Sequence, residues 1–271
     1  MSRSHFGGPT ASHASTVVHD FASFVVFFTE IFLSDEFFTN LGLTDDLCMS
    51  PLLSDDRNST FDVRRYRLQG PLAMRTGDDP YTRLLSGDDI IMKRPRRLNL
   101  EGYQEHDRMV SILTEIRTLA HPPLRTHENI IDMLGIAWQR DEGGTEGEKI
   151  WPVVLLEYAP FGTLADFCNR PSGPLDYADK GRLCLEVARG LRALHNCGIV
   201  HYDIKAENIL VCKHRTKGYV AKLSDFGCAR IVESEPSEVE MYEPPGTPPW
   251  IAPEWSGPIE REKLFKTDCE S

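Results

Sequence analysis

The sequence predicts an α+β protein in two lobes, a small β-rich one followed by a helical one, with a cleft between them. Three observations predict it. Short apolar runs with one helical stretch among them fill the chain up to about residue 157. Beyond that point the periodicity is mostly helical. A length of 271 residues is enough to bury a substantial core, as one large domain or two small ones.

Residues 1–60 are rich in Ser, Thr, Asp and aromatics and show no repeat and no motif, so they are expected to form a partly disordered N-terminal extension. Within it, Asp45–Thr60 has the acidic and Ser/Pro punctuation of a linker. Phe21–Leu33 is apolar but interrupted by Ser23, Thr29 and Glu30; it is too short and polar to span a bilayer and lacks the flanks of a signal peptide. It reads as a buried or partner-facing helix. The first lobe is expected over residues 61–157. Asp89-Ile-Ile-Met-Lys93 reads as a short buried strand. Met109, Ile112, Ile116 and Leu119 recur at helical spacing, so 105–120 form an amphipathic helix that His121-Pro-Pro123 ends. Two apolar runs, Ile130–Trp138 and Trp151–Glu157, flank Asp141–Lys149, which reads as a hairpin loop. The second lobe is expected over 158–271. There Leu183, Val187, Leu191 and Leu194 lie on one face of a helix over 179–196, with Gly198 where a left-handed cap belongs. Short strands 208–211 and 220–223 follow.

A formal charge of −11 leaves no broad basic field to collect phosphates, which excludes a general nucleic-acid or anionic-membrane binder. The local cluster Lys93-Arg-Pro-Arg-Arg97 reads as a functional lysine with solvated neighbours. The cysteines, at 48, 168, 184, 197, 212, 228 and 269, form no Cys-x-x-Cys pair and no metal-ligand spacing. Reduced thiols in a cytoplasmic or nuclear protein are the expectation.

The chemistry concentrates in Ile199-Val-His-Tyr-Asp-Ile-Lys-Ala-Glu-Asn-Ile-Leu-Val211. His201, Asp203, Lys205 and Asn208 stand there at the offsets of His-x-Asp-x-Lys-x-x-Asn, and this segment resembles the catalytic loop of eukaryotic-type protein kinases. Ser224-Asp-Phe-Gly227 looks like the family's magnesium-binding motif, and Gly246-Thr-Pro-Pro-Trp-Ile-Ala-Pro-Glu254 like the end of its activation segment. The resemblance implies a protein kinase fold, ATP and Mg2+ as cofactors, and a protein substrate. Asp203 would accept the proton of a substrate hydroxyl, Lys205 would neutralise the transferred phosphoryl, and Asn208 and Asp225 would hold the metal. Ile90-Ile-Met-Lys93 resembles Val-Ala-Ile-Lys, so Lys93 would pair with the α- and β-phosphates and Glu115, on the polar side of the helix, would fix it. His127-Glu-Asn-Ile-Ile131 follows as in the family. In Val153–Ala159, which looks like the hinge, Leu156 would be the gatekeeper, and the Glu157 carbonyl and Ala159 backbone would bond adenine, with Leu210 under the purine. Leu119, Met133, His201 and Phe226 would form a column joining the lobes.

Lys205 in the loop and Thr247 before Pro-Pro-Trp resemble the serine/threonine class, and Gly135-Ile-Ala137 with the Gly-Thr-Pro-Pro-Trp run its tyrosine-kinase-like subgroup. Some features depart from the pattern. Tyr202 replaces the arginine that gathers a phosphorylated activation loop, and Glu233, Glu235, Glu238, Glu240 and Glu243 would repel a phosphate there. The glycine-rich loop, sought in Leu68–Asp79, has Gly70 and Gly77 at the wrong spacing and Pro71 where an amide is wanted. Ile91 is bulkier than the alanine that touches adenine. Lys266–Ser271 resembles the start of the central helix of the large lobe, with Asp268 anchoring the loop, so the resemblance implies an incomplete helical lobe and a partner covering it. Besides an active kinase, a pseudokinase, a scaffold or binding module, or an inactive gene fragment fit these departures.

Overall fold

A computed structural model describes residues 40–43, 49–52, 61–69, 72–76, 79–84, 88–95, 102–140, 150–170, 175–232, 247–248, 250–253 and 261–269. The chain divides into two compact units, Met1–Phe37 and Phe38–Ser271, and every described residue lies in the second. The expected helix over 21–33, most of the linker, the loop 141–149 and the glutamates of 233–243 lie outside the described residues.

The β-rich part centres on a six-stranded sheet. Its strands are β1 (Asn40–Leu43), β2 (Met49–Leu52), β3 (Phe61–Leu68), β6 (Asp89–Pro95), β7 (Met133–Arg140) and β8 (Ile150–Glu157), in the order β1-β7-β8-β6-β3-β2. All neighbours are antiparallel except β1, which runs parallel to β7 along one edge. A separate hairpin, β4 (Leu72–Thr76) with β5 (Asp79–Leu84), is inserted between β3 and β6. Two strands therefore come from residues that the sequence alone assigns to the extension, so the sheet starts at Asn40 rather than at 61. Four-residue strands are too short to carry a readable alternation.

Period-two alternation gives the sheet two faces. Leu68, Ile90, Met92, Leu134, Ala137, Val153 and Leu155 close one as a buried cluster. The other carries Phe61, Val63, Ile91 and Lys93, which stand opposite Pro95, Lys93, Arg65 and Val63 in the β3–β6 register. Helix α1 (Gly102–Ala120) buries Ile112, Ile116 and Leu119, the apolar stripe read from the sequence.

The register also relocates the loop sought in 68–79. Phe61 pairs with Pro95, beside Lys93, whereas Arg67 pairs with Asp89 at the far end of β6. β3 thus begins at the Lys93 end of β6, whereas 68–79 follows its far end; residues 53–60, which precede β3 in sequence, lie outside the described residues. Residues 53–60 read Leu-Ser-Asp-Asp-Arg-Asn-Ser-Thr and contain no glycine.

The helical part begins with α2 (Leu164–Cys168), whose N-cap Thr163 and Asp166 form a reciprocal capping box. Helix α3 (Tyr177–Asn196) follows, capped by Asp176, with Leu183 and Leu194 buried. Just past its C-cap Cys197 stands Gly198, whose φ of 70° is left-handed as expected. Strand β9 (Ile199–Val200) pairs with β12 (Arg230–Ile231), and β10 (Ile209–His214) with β11 (Gly218–Leu223). Single 3-10 turns, Ala206–Asn208 and Phe226–Cys228, and helix α4 (Arg261–Thr267) complete the described part. No helix among the described residues is long and apolar enough to cross a membrane.

Candidate active site

The segment 201–208 hangs between β9 and β10, and a carboxylate fixes its start. Asp268, just past α4, accepts the amides of His201 and Tyr202, each at 2.8 Å, and lies 2.9 Å from His195 Nε2. With both amides directed at one buried carboxylate, Tyr202 takes a left-handed φ of 66°, which a non-glycine residue adopts only when its surroundings hold it there. The His201 ring lies 3.0 Å from the Ser224 carbonyl and 5.0 Å, centroid to centroid, from the Phe226 ring. Of the expected column, Leu119, His201 and Phe226 are buried and Met133 is half-buried.

Asp203 is the meeting point of the site. Its Oδ2 accepts Lys205 Nζ at 2.8 Å and Asn208 Nδ2 at 2.7 Å, and its Oδ1 accepts the Thr247 amide at 3.1 Å. Lys205 Nζ also donates to Thr247 Oγ1 at 2.6 Å. Asn208 Nδ2 reaches the Asp203 carbonyl as well, so its amide oxygen is left facing away from these bonds. Ser224 donates both its amide and its hydroxyl to the Asn208 carbonyl, tying this loop to Asp225.

A second constellation crosses from the sheet. Lys93 Nζ stands 2.7 Å from Glu115 Oε2 and 2.7 Å from Asp225 Oδ1. Glu115 is fully buried against the lysine rather than on a solvated face of α1, which corrects the expectation that it lies on the helix's polar side. Asp225 has a left-handed φ of 61°, and the turn after it packs on α1 so closely that a Cβ at Gly227 would lie 2.3 Å from Ser111 Oγ.

The residues expected at the hinge lie at the end of β8 and just beyond it. Leu156 is buried between Ile91 and Met133 in register, Glu157 donates its amide to the Asp132 carbonyl at 3.0 Å, and Ala159 is buried. Leu210 bridges to Thr163, which joins β10 to the segment following the hinge.

The protein kinase domain family matches residues 90–268, well over half of the chain. The chain belongs to the protein kinase family. Over 221 residues, 79% of the chain and 27% of the relative, it is 28% identical to a Dictyostelium discoideum protein named "Probable serine/threonine-protein kinase drkC". It is 37% identical over 126 residues, 46% of the chain and 35% of the relative, to mitogen-activated protein kinase kinase kinase 18 of Arabidopsis thaliana. Serine/threonine-protein kinase STY17 of the same plant is 24% identical over 196 residues, 71% of the chain and 30% of the relative. The matches thus span about a quarter to a third of these relatives' lengths.

The electrostatics of the kinase site follow from burial and pairing. Burial disfavours the Lys93 ammonium, but Glu115 and Asp225 outweigh it and hold the lysine above its ordinary range. Burial raises Asp225 too, yet the Lys93 charge and hydrogen bond bring its carboxyl below the usual value. Glu115, entirely buried, is pushed up despite its lysine. The donors fit a hard divalent cation, since the Asp225 carboxylate and the Asn208 amide oxygen are both oxygen ligands.

Sequence reasoning misses one charged cluster around Glu157. Lys222 Nζ contacts Glu157 Oε1 and lies 3.0 Å from Asp132 Oδ2, and Glu157 Oε1 accepts the Asp132 amide at 2.9 Å. The available signal is a lysine inside the apolar strand Val220-Ala-Lys-Leu223, because a buried ammonium needs a partner.

Proposed function

We propose that this kinase domain is a serine/threonine protein kinase that moves the γ-phosphoryl group of ATP, with Mg2+, to hydroxyls of protein substrates. The observation that carries the reading is the convergence on Asp203. Lys205 and Asn208, from the same loop, and Thr247, from a distant segment, place their donors on its two oxygens. In this reading Asp203 orients the substrate hydroxyl and accepts its proton as the new O–P bond forms and the bond to the ADP oxygen breaks. Lys205 offsets charge on the transferred group, and Thr247 holds Lys205 and Asp203 in register. Lys93, positioned by Glu115, meets the α- and β-phosphates. Asn208 and Asp225 would hold the metal, which would offset negative charge on the phosphates. Leu156 bounds the adenine site, the backbone of Glu157 and Ala159 bonds the base, and Leu210 packs beneath it. In this reading the first lobe ends at Glu157.

The reading is tested by transfer from labelled ATP to a generic protein substrate, with Asp203→Asn as the comparison. Loss of the base is expected to lower the rate roughly a hundredfold or more. Hydrolysis of the product should yield labelled phosphoserine or phosphothreonine. Equal signal from both proteins removes the catalytic role of Asp203, and labelled phosphotyrosine alone removes the serine/threonine class.

A further inference from the structure

Phe61 begins β3 immediately after the glycine-free segment 53–60, on the sheet face that carries Lys93. Its pairing with Pro95 sets it one alternation from Val63, the residue opposite Lys93, so both side chains project to the same side. The ring centroid lies 4.7 Å from Lys93 Nζ, within the range of a cation–π contact, and Phe61 is itself buried. The ammonium is thereby enclosed. Glu115 and Asp225 take it at 2.7 Å each, the ring covers it, and the lysine side chain is only 7% exposed. A phosphate oxygen approaching Lys93 has to displace one of these three. The two carboxylates hold the ammonium by charge, Glu115 from full burial, so the neutral ring is the weakest of the three partners.

We infer that Phe61 is a ring gate over Lys93, which has to swing aside before the phosphates of a nucleotide reach the ammonium, and so sets the affinity of the site for nucleotide. This rests on the nucleotide-binding reading above. It implies that a smaller side chain at 61 strengthens binding, since the ring no longer competes for the lysine.

Two measurements on the full chain separate the gate from that reading. The first needs no nucleotide: the rate at which acetic anhydride acetylates Lys93, followed by mass spectrometry, in the parent and in Phe61→Val. Removing the ring is expected to speed acetylation of Lys93 several-fold relative to the surface lysines. The second is calorimetric titration with ATP and magnesium chloride, where Phe61→Val is expected to bind about three- to tenfold tighter, the size of a lost cation–π contact. Phe61→Leu, closer in volume, serves if the valine variant unfolds, and a thermal melt of each variant establishes folding. Unchanged acetylation overturns the gate whatever the titration shows. Faster acetylation with unchanged or weaker ATP binding overturns its effect on affinity. Faster acetylation with no heat of ATP binding in any variant overturns the nucleotide reading and the gate's role with it.

Discussion

Glu157 sits between opposing influences. Burial and the Asp132 carboxylate push its carboxyl up to about 7, against the pull of Lys222, whose ammonium it contacts. A carboxyl raised on folding contributes stability that is fully present below its unfolded value, near 4.5, and is lost as pH rises through about 7. Asp132 and Lys222 face it from neighbouring segments, and Cys212 from β10 lies close enough to be raised by its charge. Glu157→Gln removes the titration, so the melting temperature of the variant is expected to change less than that of the parent between pH 4.5 and 7. Parallel curves for the two proteins would exclude Glu157 as the source. At the same scale, His201, Asp203, Lys205, Asn208 and Asp225 were legible because each residue type is tied to a fixed offset along a short stretch. Phe61 was not, because what matters about it is the register of β3 on β6, which no local pattern encodes.

Helices α2 and α3 show what single elements contribute. The Thr163 hydroxyl accepts the Asp166 amide at 3.1 Å while the Asp166 carboxylate accepts the Thr163 amide and hydroxyl. Thr163→Ala removes half of that exchange and is expected to cost about 1 kcal/mol in a denaturant titration. In α3, Gly190 is there for contact rather than for its dihedral angles. A Cβ would lie 2.7 Å from the Asn129 carbonyl and 3.0 Å from a Leu223 methyl, so the helix rides on the backbone beside β11. Gly190→Ala gains helix propensity yet is expected to destabilise by about 1–3 kcal/mol, because the carbonyl cannot move away cheaply. A more stable alanine variant would contradict the close approach. Both long helices were legible from their apolar spacing to within three residues at each end. The short strands were not, since pairing partners far apart in sequence decide them.

Across the whole molecule, the segment from Tyr202 to the turn after Asp225 is held from below rather than by a charged receptor at 202. Burial raises the Tyr202 phenol to about 12, with Asp268 adding to this and Arg230 opposing it. A phenol is neutral or anionic and never cationic, so residue 202 offers no positive charge to a phosphate. Transfer activity is accordingly expected to survive phosphatase treatment of the protein. A loss restored by adding an activating kinase would show that another cation takes the place of residue 202. The support from below is Asp268, and Asp268→Ala leaves two buried amides without their acceptor. That variant should unfold several degrees earlier and lose transfer together with stability.

The parallel strand Asn40–Leu43 has a consequence for how copies of this chain behave toward one another. It occupies the outer hydrogen-bonding row of β7, the row by which an open sheet recruits a strand from a second molecule. Being four residues long, β1 leaves a short open edge in place of the eight-residue edge of β7, so a chain deleted through residue 43 is expected to self-associate more on concentration, as light scattering would register.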